Sequence, residues 1–516
     1  MDINRAAYLN MSAVYIAEPF LKTFLSWTAI AVMGVTFSIL VFRYFSETAY
    51  PDLPLGKLLI RLRARHWDEP VQDISVANRK LRRTLDRNAQ AMRHQLRVFG
   101  WVAAMTLISR AAVILSALFF SAVRGSLYAT LNGFFDSWIR WDAQHYIGLA
   151  QNWYTGDVTA DARFHLVFYP LYPLLTRGFN YIFIGLAHVQ HAIFSSAGFG
   201  ELFIPRDDYT VLAAIVLSNL CLLVSGYLLY QLVFEQQGER AARRAVRFFM
   251  FCPLTIFFSI PYTESLFIML TLLSVLFARR RFFSAAVAVG ALSSATRSLG
   301  LLVAVPIFLE MLKHVGSLKL WPPRRRDHYS VDELREALYI WPSRRNKHIA
   351  LIAAYVLMVS LVGLGFLAYL ALNTSISGDP LRFLTYQREH WGQTFGSISN
   401  TIRYTVGNAF FYPEVAWRLG TWVPQIIAII ATVSLLGAVS HRVHPGDGAY
   451  AWLYLICALS PTWLLSGPRY ISAMYALYPM LTLVTRRKWQ DIITMVIMVS
   501  LLAICSCMYA VLGNLL

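Results

Sequence analysis

Residues 98–123 read VFGWVAAMTLISRAAVILSALFFSAV, an apolar run in which Arg110 is the single charged side chain. As a helix, a run of this length crosses the roughly 30 Å hydrocarbon core of a bilayer. Similar runs recur throughout the 516 residues, of which 57% are hydrophobic and 14% charged. Continuous runs exclude a β-barrel, whose strands alternate in polarity. The sequence therefore predicts an all-α, polytopic membrane protein, in which Arg110 snorkels or pairs because an isolated charge at mid-span is costly.

The net charge of +18 does not indicate a nucleic-acid partner. The basic residues lie in short segments between apolar runs, as the positive-inside rule requires of cytoplasmic loops. Such segments add at most an affinity for anionic head groups of membrane lipids. We therefore expect membrane lipids, and no nucleic acid, as the partners of these charges.

Apolar runs and charge clusters divide the chain into about a dozen membrane segments and two regions. Residues 1–97 are expected to form an N-terminal extension, with one span near Phe20–Phe45 and a basic cytoplasmic helix. Residues 98–516 are expected to form the main membrane domain. Within that domain, 313–348 is predicted to be a cytoplasmic loop and 373–422 an external loop.

Four polar positions interrupt the apolar segments, namely Asp142, Glu264, Arg297 and Arg469. If every basic cluster is cytoplasmic, all four positions face the non-cytoplasmic side. This requires that residues 164–189 are interfacial or re-entrant and that short apolar hairpins turn at Glu264 and Arg297. Polar residues at such breaks are typical of a site at membrane level, since irregular backbone survives there only where it lines a cavity. A bacterial cytoplasmic membrane or an endoplasmic reticulum membrane fits this arrangement, with the site on the non-cytoplasmic face.

The string SWIRWDAQHY, Ser137–Tyr146, carries the leading candidate for chemistry, Asp142. We expect a helix that starts near Phe135. The side chains expected in one sector of it are Trp138, Trp141, Asp142 and His145, with Tyr146 one turn from Asp142. A partly desolvated carboxylate at the interface is more basic than usual and can accept a proton from an acceptor hydroxyl. The alternative is a structural ion pair with Arg140 or a helix cap.

Two further strings offer ligand contacts. Tyr169 and Tyr172 in FYPLYP, residues 168–173, can stack on a sugar ring, although tyrosines are also common at membrane interfaces. Glu264 and Arg297 are costly charges within neighbouring apolar stretches. Glu264 and Arg297 either pair with each other structurally, or Arg297 or Arg469 binds a phosphate, for which the forked guanidinium is suited.

Several familiar motifs are absent from the sequence. There is no Walker loop, no dinucleotide-binding glycine motif and no His or Cys spacing that forms a metal site. No cofactor is predicted with certainty, and a divalent cation has no dedicated site. An enzyme built this way would use a donor that is already activated and already in the membrane.

Taken together and in order, the motifs resemble the GPI mannosyltransferase II (PIG-V) family of polyprenyl-phosphate-sugar-dependent glycosyltransferases. The matching strings, which extend over about residues 98–480, are RWDAQHY (140–146), FYPLYP (168–173), FSIPYTESLF (258–267), ATRSLG (295–300), GDPL (378–381) with QREHW (387–391), and PRY (468–470). Leu299 departs from the pattern, because a polar Asn is expected there in many relatives.

This resemblance implies a GT-C fold and the inverting transfer of mannose from a dolichyl- or polyprenyl-phosphate-mannose donor to a lipid-linked or surface glycan. Asp142 would be the catalytic residue. The residues implied to hold the donor phosphate are Arg297, Arg469 and His390. Those implied to contact sugar or acceptor are Trp141, His145, Tyr146, Tyr169, Tyr172, Tyr262 and Glu264.

Two other function classes compete with this interpretation. A flippase or transporter for lipid-linked sugars would also place charges in the membrane, but it predicts them through the whole membrane depth. A non-catalytic scaffold predicts that substitution of Asp142 is tolerated.

Overall fold

The computed structural model describes residues 74–123, 138–157, 161–196, 206–317, 347–396, 398–462 and 464–509. Within these ranges the regular structure is helical, and a single backbone bridge joins Phe395 to Pro461. The all-α prediction is therefore confirmed.

The helices are numbered in chain order. They are α1 (Ile74–Val123), α2 (Asp142–Asn152), α3 (Leu171–Ser196), α4 (Thr210–Gln237), α5 (Glu239–Met250), α6 (Glu264–Arg279), α7 (Phe283–Ser294), α8 (Ala304–Ser317), α9 (347–360), α10 (Leu364–Ser377), α11 (Arg382–Trp391), α12 (Ile398–Phe411), α13 (Val423–Val439), α14 (Pro445–Ala458), α15 (Gly467–Ser472), α16 (Leu477–Val484) and α17 (Lys488–Cys507). Short 3-10 turns cover Asp161–Val167, Thr255–Phe258 and Ser298–Val303.

Six helical segments of the described chain are long and apolar enough to cross a bilayer. They are Met92–Val123, Thr210–Gln237, Ser298–Val315, Lys347–Ser377, Arg418–Arg442 and Lys488–Cys507. The protein is thus a polytopic helical membrane protein, as predicted. The expected dozen segments also counted shorter apolar stretches, so the number of crossings stays a prediction.

The chain divides into two compact units, residues 1–104 and 105–516. Of the first unit, the described part is helical from residue 74 onward, within α1. The predicted span Phe20–Phe45 and most of the predicted cytoplasmic loop 313–348 lie outside the described residues. The predicted external loop 373–422 is largely helical, because it contains the end of α10 together with α11 and α12.

Helices α5, α6 and α7 are short, and α6 begins and α7 ends beside the polar strings that carry Glu264 and Arg297. They contain 12, 16 and 12 residues, which corresponds to about 18–24 Å of helix. This is less than the roughly 30 Å hydrocarbon core of a bilayer. The start of α6, which carries Glu264, and the end of α7, which precedes Arg297, can therefore lie within the thickness of a bilayer. The short hairpins predicted from the sequence require this.

Helix α6 has a charged residue at each end. Glu264 is its first residue and Arg279 its last, the arrangement that the helix dipole favours. Arg279 forms an ion pair with the fully buried Asp447, which also accepts a 2.7 Å hydrogen bond from the Tyr475 hydroxyl. This ion pair joins α6 to α14, and sequence analysis did not find Asp447 as the acid partner.

Polar side chains of α4 hold the turn that leads into α6. Ser218 Oγ donates to the carbonyl of Ile260 at 3.0 Å, and Asn219 Nδ2 donates to the carbonyl of Ser259 at 3.0 Å. The Tyr172 hydroxyl of α3 bonds Ser218 Oγ at 2.8 Å. Because these carbonyls lie outside any helix, the bonds satisfy backbone groups that would otherwise be buried without partners.

Helix α10 packs very closely on the end of α7. A Cβ added at Gly365 would overlap the carbonyl oxygen of Ala291, and Ser294 Oγ donates to the carbonyl of Val362 at 2.7 Å. Only a residue without a side chain permits this approach. The contact fixes the end of α7, from which the chain continues to Arg297.

We expect Gly365→Ala to destabilise the fold by about 1–3 kcal/mol, since an added methyl group meets backbone that cannot move easily. Gly363→Ala is the matched control, because a Cβ there meets nothing within 4 Å. Thermal unfolding midpoints in detergent compare the two variants. Equal midpoints would show that the α7–α10 approach is not as tight as described.

Candidate active site

Asp142 is the first residue of α2, which makes the helix shorter than predicted. The expected start near Phe135 is wrong for the described part, because residues 138–141 are not helical and Trp141 has a φ of 54°. The Tyr509 hydroxyl donates to the carbonyl of Trp138 at 3.1 Å, which holds this non-helical segment. Asp142 therefore lies at the positive end of the helix dipole, and Trp138 and Trp141 precede the helix rather than sharing its face.

Asp142 forms an ion pair with Arg469. Its Oδ2 accepts a 2.9 Å hydrogen bond from Nη1 of Arg469, and its side chain keeps 33% of its exposure. The sequence-based alternative named Arg140 as the ion-pair partner, but the observed partner is 327 residues away in the chain. The carboxylate is thus held by a cation on one side and accessible on another.

Glu264 connects both predicted arginines. Its side chain is 1% exposed, and its Oε1 forms ion pairs with Nη1 of Arg297 and, at 3.3 Å, with Nε of Arg469. The structural pairing of Glu264 with Arg297 that the sequence suggested is therefore observed. Oε2 of Glu264 makes no hydrogen bond with any described residue. Asp142, Arg469, Glu264 and Arg297 thus form one connected ion network of zero formal charge.

Aromatic rings surround the two guanidinium groups. The Arg297 guanidinium lies 4.7 Å from the centre of the Tyr470 ring. The Arg469 guanidinium lies 5.1 Å from the Tyr262 ring and 5.5 Å from the Phe257 ring. Such cation–π contacts partly replace lost hydration, so both cations can remain buried.

His145 and His390 lie in a second cluster, built from histidine and aromatic rings. His145 Nδ1 is 3.1 Å from His165 Nε2, and Phe164 packs on His145 and on His390, with ring centres 5.2 Å apart in each case. Trp391 closes the cluster over Phe164 at 5.6 Å. The predicted donor-phosphate residue His390 therefore lies with aromatic rings, and its role stays a prediction.

Burial and, to a smaller extent, the neighbouring His145 together lower the pKa of His165 to about 4. The pKa of His145 is also lowered by burial, against the opposing effect of Asp142. Both rings are therefore neutral at pH 7, so one donates and the other accepts the hydrogen bond between them.

The remaining predicted ligand tyrosines are largely buried. Tyr146 packs on Phe168, Tyr169 stacks on Tyr369 with centres 4.1 Å apart, and Tyr172 is fully buried. The Tyr262 hydroxyl donates to the carbonyl of Arg140 at 3.2 Å. Trp141, in contrast, is 42% exposed beside Asp142. Of the predicted aromatic contacts, Trp141 and His145 are therefore the more accessible.

Sequence reasoning missed Tyr470, His165 and Tyr509. Tyr470 was within the quoted string PRY, and its position beside Arg469 was a signal that an aromatic residue could cover the cation. His165 precedes FYPLYP by three residues, where a polar ring in an apolar stretch was also visible. Tyr509, at the far end of the chain, gave no local signal.

Across the described ranges, no group of three or more His, Cys, Asp or Glu side chains could hold a metal ion. The two carboxylates of the ion network face guanidinium groups instead.

Two curated proteins share sequence with this chain. It is 32% identical over 139 residues to the GPI mannosyltransferase pigv-1 of Caenorhabditis elegans, covering 27% of this chain and 18% of that protein. It is 32% identical over 130 residues to GPI mannosyltransferase 2 of Drosophila pseudoobscura pseudoobscura, covering 25% of this chain and 24% of that protein. This chain is similar to GPI mannosyltransferases. The resemblance read from the motifs is thereby confirmed, and the similar stretch spans a quarter or less of each relative.

No family model matches the sequence. Among solved structures, the oligosaccharyltransferase of Archaeoglobus fulgidus aligns with 79% of this chain and 53% of its own, at 14% identity and a TM-score of 0.35. This score is too low to assign a shared fold, so the GT-C fold stays a prediction.

We expect Glu264→Gln to destabilise the fold by about 3–5 kcal/mol, because it leaves two buried guanidinium groups without their shared carboxylate. Glu235→Gln is the control, since the Glu235–Arg280 ion pair is exposed and worth about 0–1 kcal/mol. Unfolding in detergent, followed by heat or denaturant, measures both. Equal losses would contradict the structural role of Glu264.

The lowered pKa of His165 predicts a loss of stability in acid. The unfolded chain binds a proton near pH 6.5, whereas the folded chain resists it down to about pH 4, so stability falls as the pH drops below 6.5. We expect His165→Gln to reduce the difference in unfolding midpoint between pH 7.5 and pH 5 by roughly 1–2 °C. His188→Gln, at an exposed position, is the control. An unchanged difference in His165→Gln would contradict a neutral, partly buried ring at His165.

Proposed function

We propose that this protein is a membrane glycosyltransferase with a GT-C fold, which transfers mannose from a dolichyl- or polyprenyl-phosphate-mannose donor to a lipid-linked or surface glycan. The reaction takes place on the non-cytoplasmic face of a bacterial cytoplasmic membrane or an endoplasmic reticulum membrane. The similarity to GPI mannosyltransferases supports the sugar, and the order of the polar motifs supports the site.

One observation carries the proposal. Asp142 is an accessible carboxylate beside a buried network of two arginines and one glutamate. Sugar transfer from a lipid phosphate needs a base for the acceptor hydroxyl and cations near the departing phosphate. Both kinds of group occur together here, at helix ends brought to one place by the fold.

In the proposed step, the acceptor hydroxyl oxygen attacks C1 of the donor sugar and forms the new glycosidic bond. The bond between C1 and the phosphate oxygen breaks, and its electron pair leaves with the lipid phosphate. Asp142 accepts the proton of the acceptor hydroxyl. Because attack comes from the face opposite the leaving phosphate, the configuration at C1 inverts.

Arg469 and Arg297 have different roles in the proposed step. Arg469 orients Asp142 through the 2.9 Å ion pair. Arg297 uses Nη1 for Glu264 and Thr263, while its Nε and Nη2 make no hydrogen bond within the described chain. These two nitrogens form the fork that binds phosphate oxygens well. We assign them to the donor phosphate, with His390 as the predicted further contact.

The sugar and acceptor contacts follow from the accessible polar and aromatic groups. Trp141 and the His145 cluster offer ring faces on which sugars stack. Glu264, the further predicted contact, is 1% exposed, so its proposed part is to position Arg297 and Arg469 for the donor and not to touch the sugar. These accessible rings would be supported by the tyrosines packed behind them, namely Tyr146, Tyr169, Tyr172 and Tyr262.

The alternative is a flippase or transporter for lipid-linked sugars. A charged path through the membrane would be expected along helices such as α6. Its charges lie at Glu264 and Arg279, with none in residues 265–278. Helix α6 therefore offers no such path, and sugar transfer is favoured.

We expect Asp142→Asn to reduce transfer of mannose from polyprenyl-phosphate-mannose by at least 100-fold, because the amide cannot accept the proton. The assay uses purified protein with a panel of lipid-linked and glycan acceptors, with and without chelator. It therefore also reports the acceptor and any cation requirement.

Asp207→Asn, an exposed position away from the ion network, is the matched control and should retain activity. Expression level and unfolding midpoint are measured for both variants, so a loss of fold is recognised. Retained transfer by folded Asp142→Asn would refute the assigned base. Movement of the labelled lipid across proteoliposomes without sugar transfer would favour the transporter instead.

A further inference from the structure

Helix α12 is attached to the protein through polar side chains. Its buried residues are Thr401, Thr405 and Ala409, which are 0%, 1% and 7% exposed. Thr401 Oγ1 donates to the carbonyl of Pro461, and Thr405 Oγ1 accepts a 3.0 Å hydrogen bond from Nε2 of Gln425. Hydrogen bonds and a small side chain, and no stripe of large apolar residues, therefore hold α12 in place.

The large apolar residues of α12 face outward. Ile402, Val406 and Phe410 follow one another at intervals of four, so they lie on one side of the helix and form its outward stripe. They are 43%, 40% and 66% exposed. A helix on the surface of a water-soluble protein has the reverse arrangement, with its apolar stripe towards the core. The surroundings of α12 on this side are therefore expected to be apolar.

The contacts of α12 place it at membrane depth. Gln425, its hydrogen-bond partner, lies seven residues inside the span Arg418–Arg442, which is roughly 10 Å along the helix. This span of 25 residues is roughly 37 Å long, only a few Å longer at each end than the roughly 30 Å hydrocarbon core. The rings of Tyr404 and Trp422 also meet, with centres 5.6 Å apart. Helix α12 therefore lies beside the first part of the span and not beyond it.

The exposed apolar surface continues along the chain from α12 to the span. Phe411, Val415 and Leu419, which connect the two, are 84%, 54% and 64% exposed. Within the span, Ile427 and Ile430 are 61% and 60% exposed, as expected for residues that a crossing helix presents to lipid. The outward stripe thus adjoins a surface that lipid already covers.

We propose that α12 lies within the membrane and that its outward stripe contacts the acyl chains of membrane lipids. Arg403, the single charged residue of α12, is exposed and extends towards the lipid head groups. With 14 residues, or about 21 Å, α12 is too short to cross the bilayer. The predicted external loop 373–422 would then contain a helix embedded in the membrane.

This lipid contact is connected to the candidate active site through Gln425. Besides Thr405, its Nε2 donates to the carbonyl of Leu464 at 2.7 Å, and its Oε1 accepts from the N–H of Gly467 at 3.0 Å. Gly467 is the first residue of α15, which carries Arg469. The lipid-facing helix and the helix of the ion network therefore share one buried amide, but the lipid contact does not depend on the proposed sugar transfer.

The first test uses the unmodified full-length protein, with one copy in each nanodisc. The discs contain phosphatidylcholine that carries a photoreactive diazirine on its acyl chain, and mass spectrometry locates the labelled residues. We expect the outward stripe to be labelled to the same extent as Ile430. Its labelling should exceed that of Arg388, an exposed residue of α11, by roughly tenfold or more.

The second test places a carboxylate on the outward stripe. We expect Val406→Asp to lower the unfolding midpoint in nanodiscs by roughly 2–6 °C, because acyl chains cannot hydrate the charge. Asn400→Asp is the matched control on the same helix. It is exposed in the first turn, where the helix dipole favours a carboxylate, and it should leave the midpoint unchanged.

An unlabelled outward stripe in discs where Ile430 is labelled would overturn the lipid contact. An equal midpoint for Val406→Asp and Asn400→Asp would overturn it as well. Labelling of the stripe that disappears in discs with two copies of the protein would identify a second copy as the occupant, and this result would also contradict the proposal.

Discussion

The buried carboxylate of Glu264 is the constraint on which the candidate site depends. A carboxylate with 1% exposure in a membrane protein must be neutralised, and here two guanidinium groups share that task. One of them, Arg469, then has a second nitrogen available for Asp142. Because Arg469 contacts both carboxylates, the neutralisation of buried Glu264 also affects where the accessible carboxylate of Asp142 lies. A substitution of Glu264 is therefore expected to displace Asp142.

Short helices and hydrogen-bonded turns position the charged residues of this network. Helix α6 begins at Glu264 because the preceding turn is fixed by Ser218 and Asn219 of α4. Arg297 follows α7, whose end is fixed by the close approach of Gly365. The turn before Glu264 is buried in protein, as is expected of irregular backbone in a membrane protein.

The arginines Arg110, Arg297 and Arg469 have different surroundings. Arg297 and Arg469 have carboxylates and aromatic rings around them, and their network carries no net charge. Arg110 has only neutral acceptors and an apolar pocket. Neutralised cations suit the orientation of reacting groups, whereas a guanidinium bonded to backbone carbonyls suits the holding of a turn.

The sequence by itself determined the helical membrane architecture, because apolar runs and their charge pattern are local properties. It also pointed to Glu264 and Arg297, since a charge within an apolar run is conspicuous, and to Asp142 and Arg469 through the short motifs that contain them. Only the tertiary structure decided their partners. Asp142 pairs with Arg469 across 327 residues, not with neighbouring Arg140, and α2 begins at Asp142 because Tyr509 holds the segment before it. Ion pairs and turn contacts between distant segments depend on how the helices pack. A local sequence pattern therefore does not indicate which residue, hundreds of positions away, will be the partner.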